Sequence, residues 1–302
     1  MGTLYLVGTP IGNLEDVSAR ALRILKEVPL IAAEDTRRAR KLLGRYGIVT
    51  PQLSYYEHNK LARLDRLLAE LDEGSVALIS EAGMPGISDP GYELVRAALD
   101  AGHSVVPIPG PSATLAALAI SGLPTDRFLY VGFLPRRRSE RRRLLQSVAS
   151  EPGTLLAFES PHRLLSALED ILSVLGERPL ALCRELTKLH EEVLRGTTLT
   201  VLEQHRDRAP RGEYTLVIGG AGKAVREQHW DSVRVETALD SLISDGIPRA
   251  AAAKAVAKLA DWRRREVYDL PTRGGGRVAE AKQERKLLGF DKESEPEYTD
   301  RR

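Results

Sequence analysis

Three glycine- and proline-rich segments stand out in this 302-residue chain: VGTPIGNL at 7–14, SEAGMPGISDPG at 80–91 and PIPGPSA at 107–113. Glycine lets the main chain turn with positive φ and approach a ligand closely, while proline fixes φ and removes a donor, so such turns build rigid pockets lined by backbone. Each follows a short apolar run (TLYLV, SVALI, HSVV) and should sit where a strand ends, the place where open α/β sheets bind their ligands. A nucleotide-like small molecule is the natural guest. The spacing is not G-x-G-x-x-G and no Gly-Lys-Ser/Thr follows, so neither the dinucleotide fingerprint nor the P-loop is present.

A second set of residues could hold a polyanion. PRRRSERRR, at 135–143, places Arg136, Arg137, Arg138, Arg141, Arg142 and Arg143 around Ser139 and Glu140. Arginine presents a planar fork of donors that suits phosphate, and this density argues for RNA; a solvated helix start is the competing reading. Arg37, Arg38, Arg40 and Lys41 follow a polar turn in which Glu34 and Asp35 could cap the next helix or serve a substrate. Tyr55, Tyr56 and His58 could stack on bases, or could be ordinary half-buried strand aromatics. Lys plus Arg at 44 against Asp plus Glu at 42 leaves a net charge of only +2, so polyanion binding must come from local clustering.

Several chemistries are excluded. The six histidines are scattered, no H-E-x-x-H occurs, and the single cysteine, Cys183 in the apolar run PLALC, reads as a buried thiol, so no metal is expected. No Gly-x-Ser-x-Gly elbow marks a serine hydrolase. The N-terminus lacks a signal-peptide pattern and no apolar stretch is long enough to span a bilayer, from which a cytoplasmic protein is expected. The reaction must therefore run on a cosubstrate.

The elements that must position these residues follow from hydrophobic pattern. From 1 to 121, strands near Thr3, Leu30, Gln52, Val76 and Ser104 alternate with helices near Val17, Thr36, Lys60, Gly91 and Ser112, which predicts an α/β domain with a mostly parallel sheet covered on both faces. From 122 to 222 strands come with fewer helices and a hairpin is expected over 180–199, so the second α/β domain should carry a mixed sheet. Over 232–270 a helix-turn-helix-like pair is expected, with Gly246 ending the first helix and Pro248 opening the second. The segment 271–302 is polar and reads as a disordered tail.

With the three turns in this order on this scaffold, the chain resembles the tetrapyrrole methylase superfamily, the class III S-adenosylmethionine-dependent methyltransferases. More narrowly it is similar to the ribosomal RNA small subunit methyltransferase I family. The narrow resemblance is carried by VGTPIGNL, AAEDTR at 32–37, SEAGMPGISDPG, PIPGPSA, FESPHR at 158–163, CRELTKLHEE at 183–192 and RGEYTLVI at 211–218. It departs at Glu81 and Met84, where many members carry Asp and Thr.

The resemblance implies a two-domain fold with the cofactor, S-adenosyl-L-methionine, folded in the cleft between the domains, and transfer of its methyl group to the ribose 2′-oxygen of a decoding-centre cytidine in 16S rRNA. Carried over by position, cofactor contacts are expected at Pro10, Ile11, Ser80, Glu81, Met84, Ser112, Ala113, Glu159, Ser160 and Leu186. A base, if one is needed, is sought among Glu34, Asp35, Glu81 and Glu185, with RNA phosphate held by Arg37, Arg163 or Arg184 and by the arginines of PRRRSERRR. The implied partners are 16S rRNA or the small ribosomal subunit and a second copy of the chain in a homodimer. The rival readings are a methylase acting on a tetrapyrrole or other small acceptor, and a non-catalytic RNA-binding assembly protein.

Overall fold

The computed structural model describes residues 1–206, 208–222, 230, 232–260 and 262–271. Its first part alternates strand and helix: β1 (Thr3–Val7), α1 (Ala19–Glu27), β2 (Leu30–Ala33), α2 (Thr36–Arg45), β3 (Gln52–Ser54), α3 (Lys60–Glu73), β4 (Val76–Ile79), α4 (Tyr92–Asp100), β5 (Ser104–Ile108) and α5 (Ala113–Ser121). The five strands are all parallel, in the order β3-β2-β4-β1-β5. Strand side chains alternate between faces, and the buried residues sort accordingly. Ala77, Ile79 and Ile31 pack with Ile24, Leu25 and Leu43 of α1 and α2, whereas Val76, Leu78 and Leu30 pack with Leu67, Leu71 and Leu94 of α3 and α4. The expected double covering is thus present. β4 inserts between β2 and β1, which brings the turns after β4, β1 and β5 side by side.

The chain then enters a second sheet, formed by β6 (Phe128–Phe133), α6 (Arg138–Ser147), β7 (Thr154–Glu159), α7 (Leu164–Leu175), β8 (Pro179–Arg184), β9 (Glu192–Thr197), α8 (Thr198–Arg206) and β10 (Tyr214–Ile218). Its order is β6-β7-β10-β8-β9; β6 and β7 are parallel, the other pairs antiparallel, and β8 with β9 forms the expected hairpin. One face packs under α6, α7 and α8 through Leu145, Leu168, Ile171 and Val201. The other is covered by α5, whose Ala117 and Leu118 join Leu156, Ala181, Val217 and, from the first turn, Ile11. The helix that leaves the first sheet is therefore part of the core of the second, and both sheets belong to one compact unit, Met1–Gly220.

Residues beyond 220 form a separate unit. Within it α9 (Ser232–Ser244), α10 (Arg249–Ala260) and α11 (Arg264–Asp269) close a core of Trp230, Val235, Leu239, Leu242, Val256 and Val267. Gly246 takes φ +83° between α9 and α10, the left-handed conformation that glycine supplies at a helix end. The third helix, α11, was not expected from sequence. Of the tail expected to be disordered, 272–302 lies outside the described residues. Among the described residues no helix is long and apolar enough to cross a membrane.

Candidate active site

The three turns are locked to one another. Thr9 and Gly83 exchange both backbone hydrogen bonds, at 2.9 and 3.0 Å, and the Gly8 N–H donates to the Ile108 carbonyl at 3.0 Å. A Cβ on Gly8 would lie 2.7 Å from Gly110 Cα and equally close to Met84 Sδ, so glycine is required for the turns after β1 and β5 to meet.

Opposite them lies one edge of the second sheet. The register sets Tyr214 beside Glu159 on one side and Arg184 on the other, which aligns the ends of β7, β10 and β8. Between the two edges is a cavity of about 380 Å³, within the range of small-molecule sites. Its walls take Ile11, Glu81, Met84, Asp89, Ser112 and Ala113 from the turns, and Phe133, Phe158, Glu159, Ser160, Glu185, Leu186 and Tyr214 from the second sheet and its loops. The Tyr130 and Ser88 hydroxyls, 2.6 Å apart, link the two sides.

Of the expected cofactor contacts, the cavity gathers Ile11, Glu81, Met84, Ser112, Ala113, Glu159, Ser160 and Leu186, whereas Pro10 and Ser80 line a neighbouring depression together with Arg38 and Lys41. Ser112 also caps α5 by accepting from Leu115 N–H at 3.4 Å. Cys183 is buried in the cavity wall, and burial pushes its thiol up to about 11, so it stays protonated near neutral pH.

The carboxylates divide sharply by partner. Glu81 pairs with Arg38 at 2.5 Å, Glu159 with Arg163 at 2.6 Å, and both Glu185 and Glu213 with Lys188 at 2.9 and 2.8 Å. Burial raises the Glu159 carboxyl in spite of the Ser160 N–H and Arg163, and its Oε2 is buried with no hydrogen-bond partner. For Glu185 burial opposes ionisation, but Lys188 and the Glu213 N–H outweigh it and hold the carboxyl low. Asp35 is the N-cap of α2, accepting from the N–H groups of Arg37 and Arg38, and those bonds lower it. Glu34 accepts from Glu81 N–H at 3.2 Å, is raised by burial, and, like Asp35, is not among the cavity-lining residues.

None of the four expected bases, Glu34, Asp35, Glu81 and Glu185, therefore combines a place on the cavity wall with a carboxylate free of a salt bridge or N–H donor: Glu81 and Glu185 are paired with Arg38 and Lys188, and Glu34 and Asp35 lie off the wall. Asp89 does. It was missed although it lies inside a segment singled out by its glycines, and an acid held in a Ser-Asp-Pro turn was the available signal.

The arginine run needs correction. Arg141 is only 3% exposed and donates to both Asp170 and Ser166, with Asp170 itself fully buried. Arg138 and Arg142 reach the same carboxylate at 2.9 and 3.2 Å. Arg141 is thus a structural residue and not an RNA contact, whereas Arg136, Arg137, Arg138 and Arg143 are exposed. Arg163 is bound to Ser160 and to the Leu134 carbonyl behind the cavity wall, and Arg37 stands exposed beside Asp35. Tyr55 is wholly buried, a core aromatic; Tyr56 and His58 are exposed and meet edge to face.

Comparison with known proteins fits this geometry. The family profile of the Tetrapyrrole (Corrin/Porphyrin) Methylases matches residues 3–201. A uroporphyrin-III C-methyl transferase from Thermus thermophilus, solved in complex with S-adenyl homocysteine, superposes with a TM-score of 0.51 over 75% of this chain and 100% of its own, at 24% identity, a likeness of fold. Ribosomal RNA small subunit methyltransferase I of Halalkalibacterium halodurans is 47% identical over 89% of this chain and 94% of its own length. That of Thermotoga maritima is 50% identical over 73% of this chain and 99% of its own length. The chain belongs to the tetrapyrrole methylase family and, within it, to the ribosomal RNA small subunit methyltransferase I family.

Proposed function

We propose that this chain transfers a methyl group from S-adenosylmethionine to the ribose 2′-oxygen of a decoding-centre cytidine in 16S rRNA. The observation that carries the reading is the cavity enclosed by the three interlocked turns and the edge of the second sheet, in a chain 47% identical to a ribosomal RNA small subunit methyltransferase. The wall suits the cofactor: Ile11, Leu186 and Phe158 offer apolar surface, and the unpartnered Glu159 Oε2 is an acceptor placed to take a donor from the ligand. Bound there, the cofactor supplies a methyl group on a positively charged, activated sulfur.

The chain's own part is largely positioning and exclusion of water. Aligning acceptor and donor in line converts an encounter into an intramolecular step, and a dry site strips the ribose oxygen of competing hydrogen bonds. Ile87 and Phe133 are both 57% exposed at the cavity wall, giving an apolar lip against which a nucleoside can lie. Arg136, Arg137 and Arg143 supply exposed charge for RNA phosphates. The working form is read as a cytoplasmic homodimer acting on the small subunit.

Mass-spectrometric mapping of ribose methylation tests the reading. Small subunits lacking the modification, incubated with this protein and S-adenosylmethionine, should gain one 2′-O-methylcytidine in the decoding centre. Cofactor binding by calorimetry without transfer to that RNA would point to a small acceptor instead, and no binding would indicate an RNA-binding protein.

A further inference from the structure

Five carboxylates line the cavity: Glu81, Asp89, Glu159, Glu185 and Glu213. Four are matched to a guanidinium or ammonium at 2.9 Å or less. Asp89 has no such pair among the described residues. It follows Ser88, which holds the left-handed φ of +62° uncommon for a residue with a side chain, and precedes Pro90, so its backbone is fixed from both sides. Backbone strain of this kind persists only where the surroundings enforce it. The Ser88 hydroxyl is tied across the cavity to Tyr130, which pins the loop against the second sheet.

We propose that Asp89 is the general base that takes the proton from the attacking ribose hydroxyl. In the step, the ribose O–H bond breaks and its proton passes to the Asp89 carboxylate. The ribose oxygen forms the new bond to the methyl carbon while the carbon–sulfur bond of the donor breaks, its electron pair remaining on sulfur. A neutral thioether leaves, and the charge balances because one carboxylate and one sulfonium are consumed together.

The surroundings suit the role. Burial pushes the Asp89 carboxyl up to about 7, with the negative charges of Glu34 and Glu81 adding to the rise and a hydrogen bond from the Ser80 side chain opposing it. Arg38, which also lines the cavity, is engaged with Glu81, and Tyr130 faces Asp89 from β6. A base is most effective when its pKa lies near the working pH. Of the expected bases, Asp35 and Glu185 are held low by their donors, and Glu34 lies off the cavity wall.

This assignment rests on the methyltransferase reading above, and the test separates the two. Single-turnover methylation of unmodified small subunits is measured from about pH 5 to about pH 9 for the full chain and for Asp89→Asn, with S-adenosylmethionine affinity by calorimetry alongside. The wild-type rate should rise with pH and level off above about 7. Asp89→Asn should be slower by about 100-fold, without that inflection, and should bind the cofactor within about twofold of wild type. Difference infrared spectra of wild type against Asp89→Asn should place the carboxyl titration near 7 without any substrate.

A variant with the wild-type rate and profile overturns the assignment, as does a carboxyl that titrates below about pH 5. A variant whose loss lies in cofactor affinity, with the rate restored at saturation, makes Asp89 a cofactor ligand instead. Failure of the wild-type protein to methylate the subunit overturns the functional reading itself.

Discussion

Asp170 shows how much one residue can decide. Its fully buried carboxylate gathers Arg138, Arg141 and Arg142; burial opposes ionisation there, but the three guanidinium hydrogen bonds outweigh it and hold the carboxyl below its ordinary range. Asp170→Asn leaves Arg141 buried without its counter-charge. The cost should be about 3 kcal/mol, read as a fall in the denaturation midpoint at unchanged slope. Asp89 works in the opposite sense. Because its carboxyl is raised in the fold, the associated stability is full below the unfolded value of about 4 and is lost as pH rises through about 7. Asp89→Asn should therefore melt several degrees above wild type at about pH 8 and close to the wild-type temperature at about pH 4. Equal melting at both pH values would show that the carboxyl is not raised. A gain in stability with a loss of turnover is the trade that active-site groups commonly show.

At the scale of elements, α6 presents two faces of different use. Its inward arginines brace α6 against α7, leaving Arg136, Arg137 and Arg143 as the charge available at the surface. Replacing those three by alanine should lower the slope of log affinity against log salt for RNA by about two to three, at roughly 0.7–0.9 per phosphate, with cofactor affinity unchanged. An unchanged slope would place the RNA elsewhere. The six arginines looked alike in sequence; what separates them is a carboxylate on another helix about 30 residues on, a fact of packing that no local pattern carries. By contrast, α1 to α5 and the five strands of the first sheet were legible, because each is a short apolar run or a helical repeat set off by turn and capping residues. Strand order was not legible: that β4 inserts between β1 and β2 is settled by long-range pairing. Asp89 was hidden for the same reason, since the absence of a cationic pair among the described residues is a property of the assembled cavity.

At the scale of the molecule, the chain folds as two units, each with its own buried core. The Thermotoga maritima relative matches 221 residues over 99% of its own length, so its length leaves no room for both units in full. A chain ending at Gly220 should fold cooperatively and bind S-adenosylmethionine with wild-type affinity, checked by thermal melting and calorimetry. A truncated form that melts without a transition would tie the second unit to folding of the first. The reciprocal hydrogen bonds between Thr9 and Gly83, with the Gly8 to Gly110 contact beside them, bear on time as well as shape. Loops joined in this way are ordered when the chain folds, not when the ligand arrives, so the conformational entropy is already spent. Capture of the donor should then be a single second-order phase in stopped-flow, linear in concentration, with no slower loop-closing step behind it.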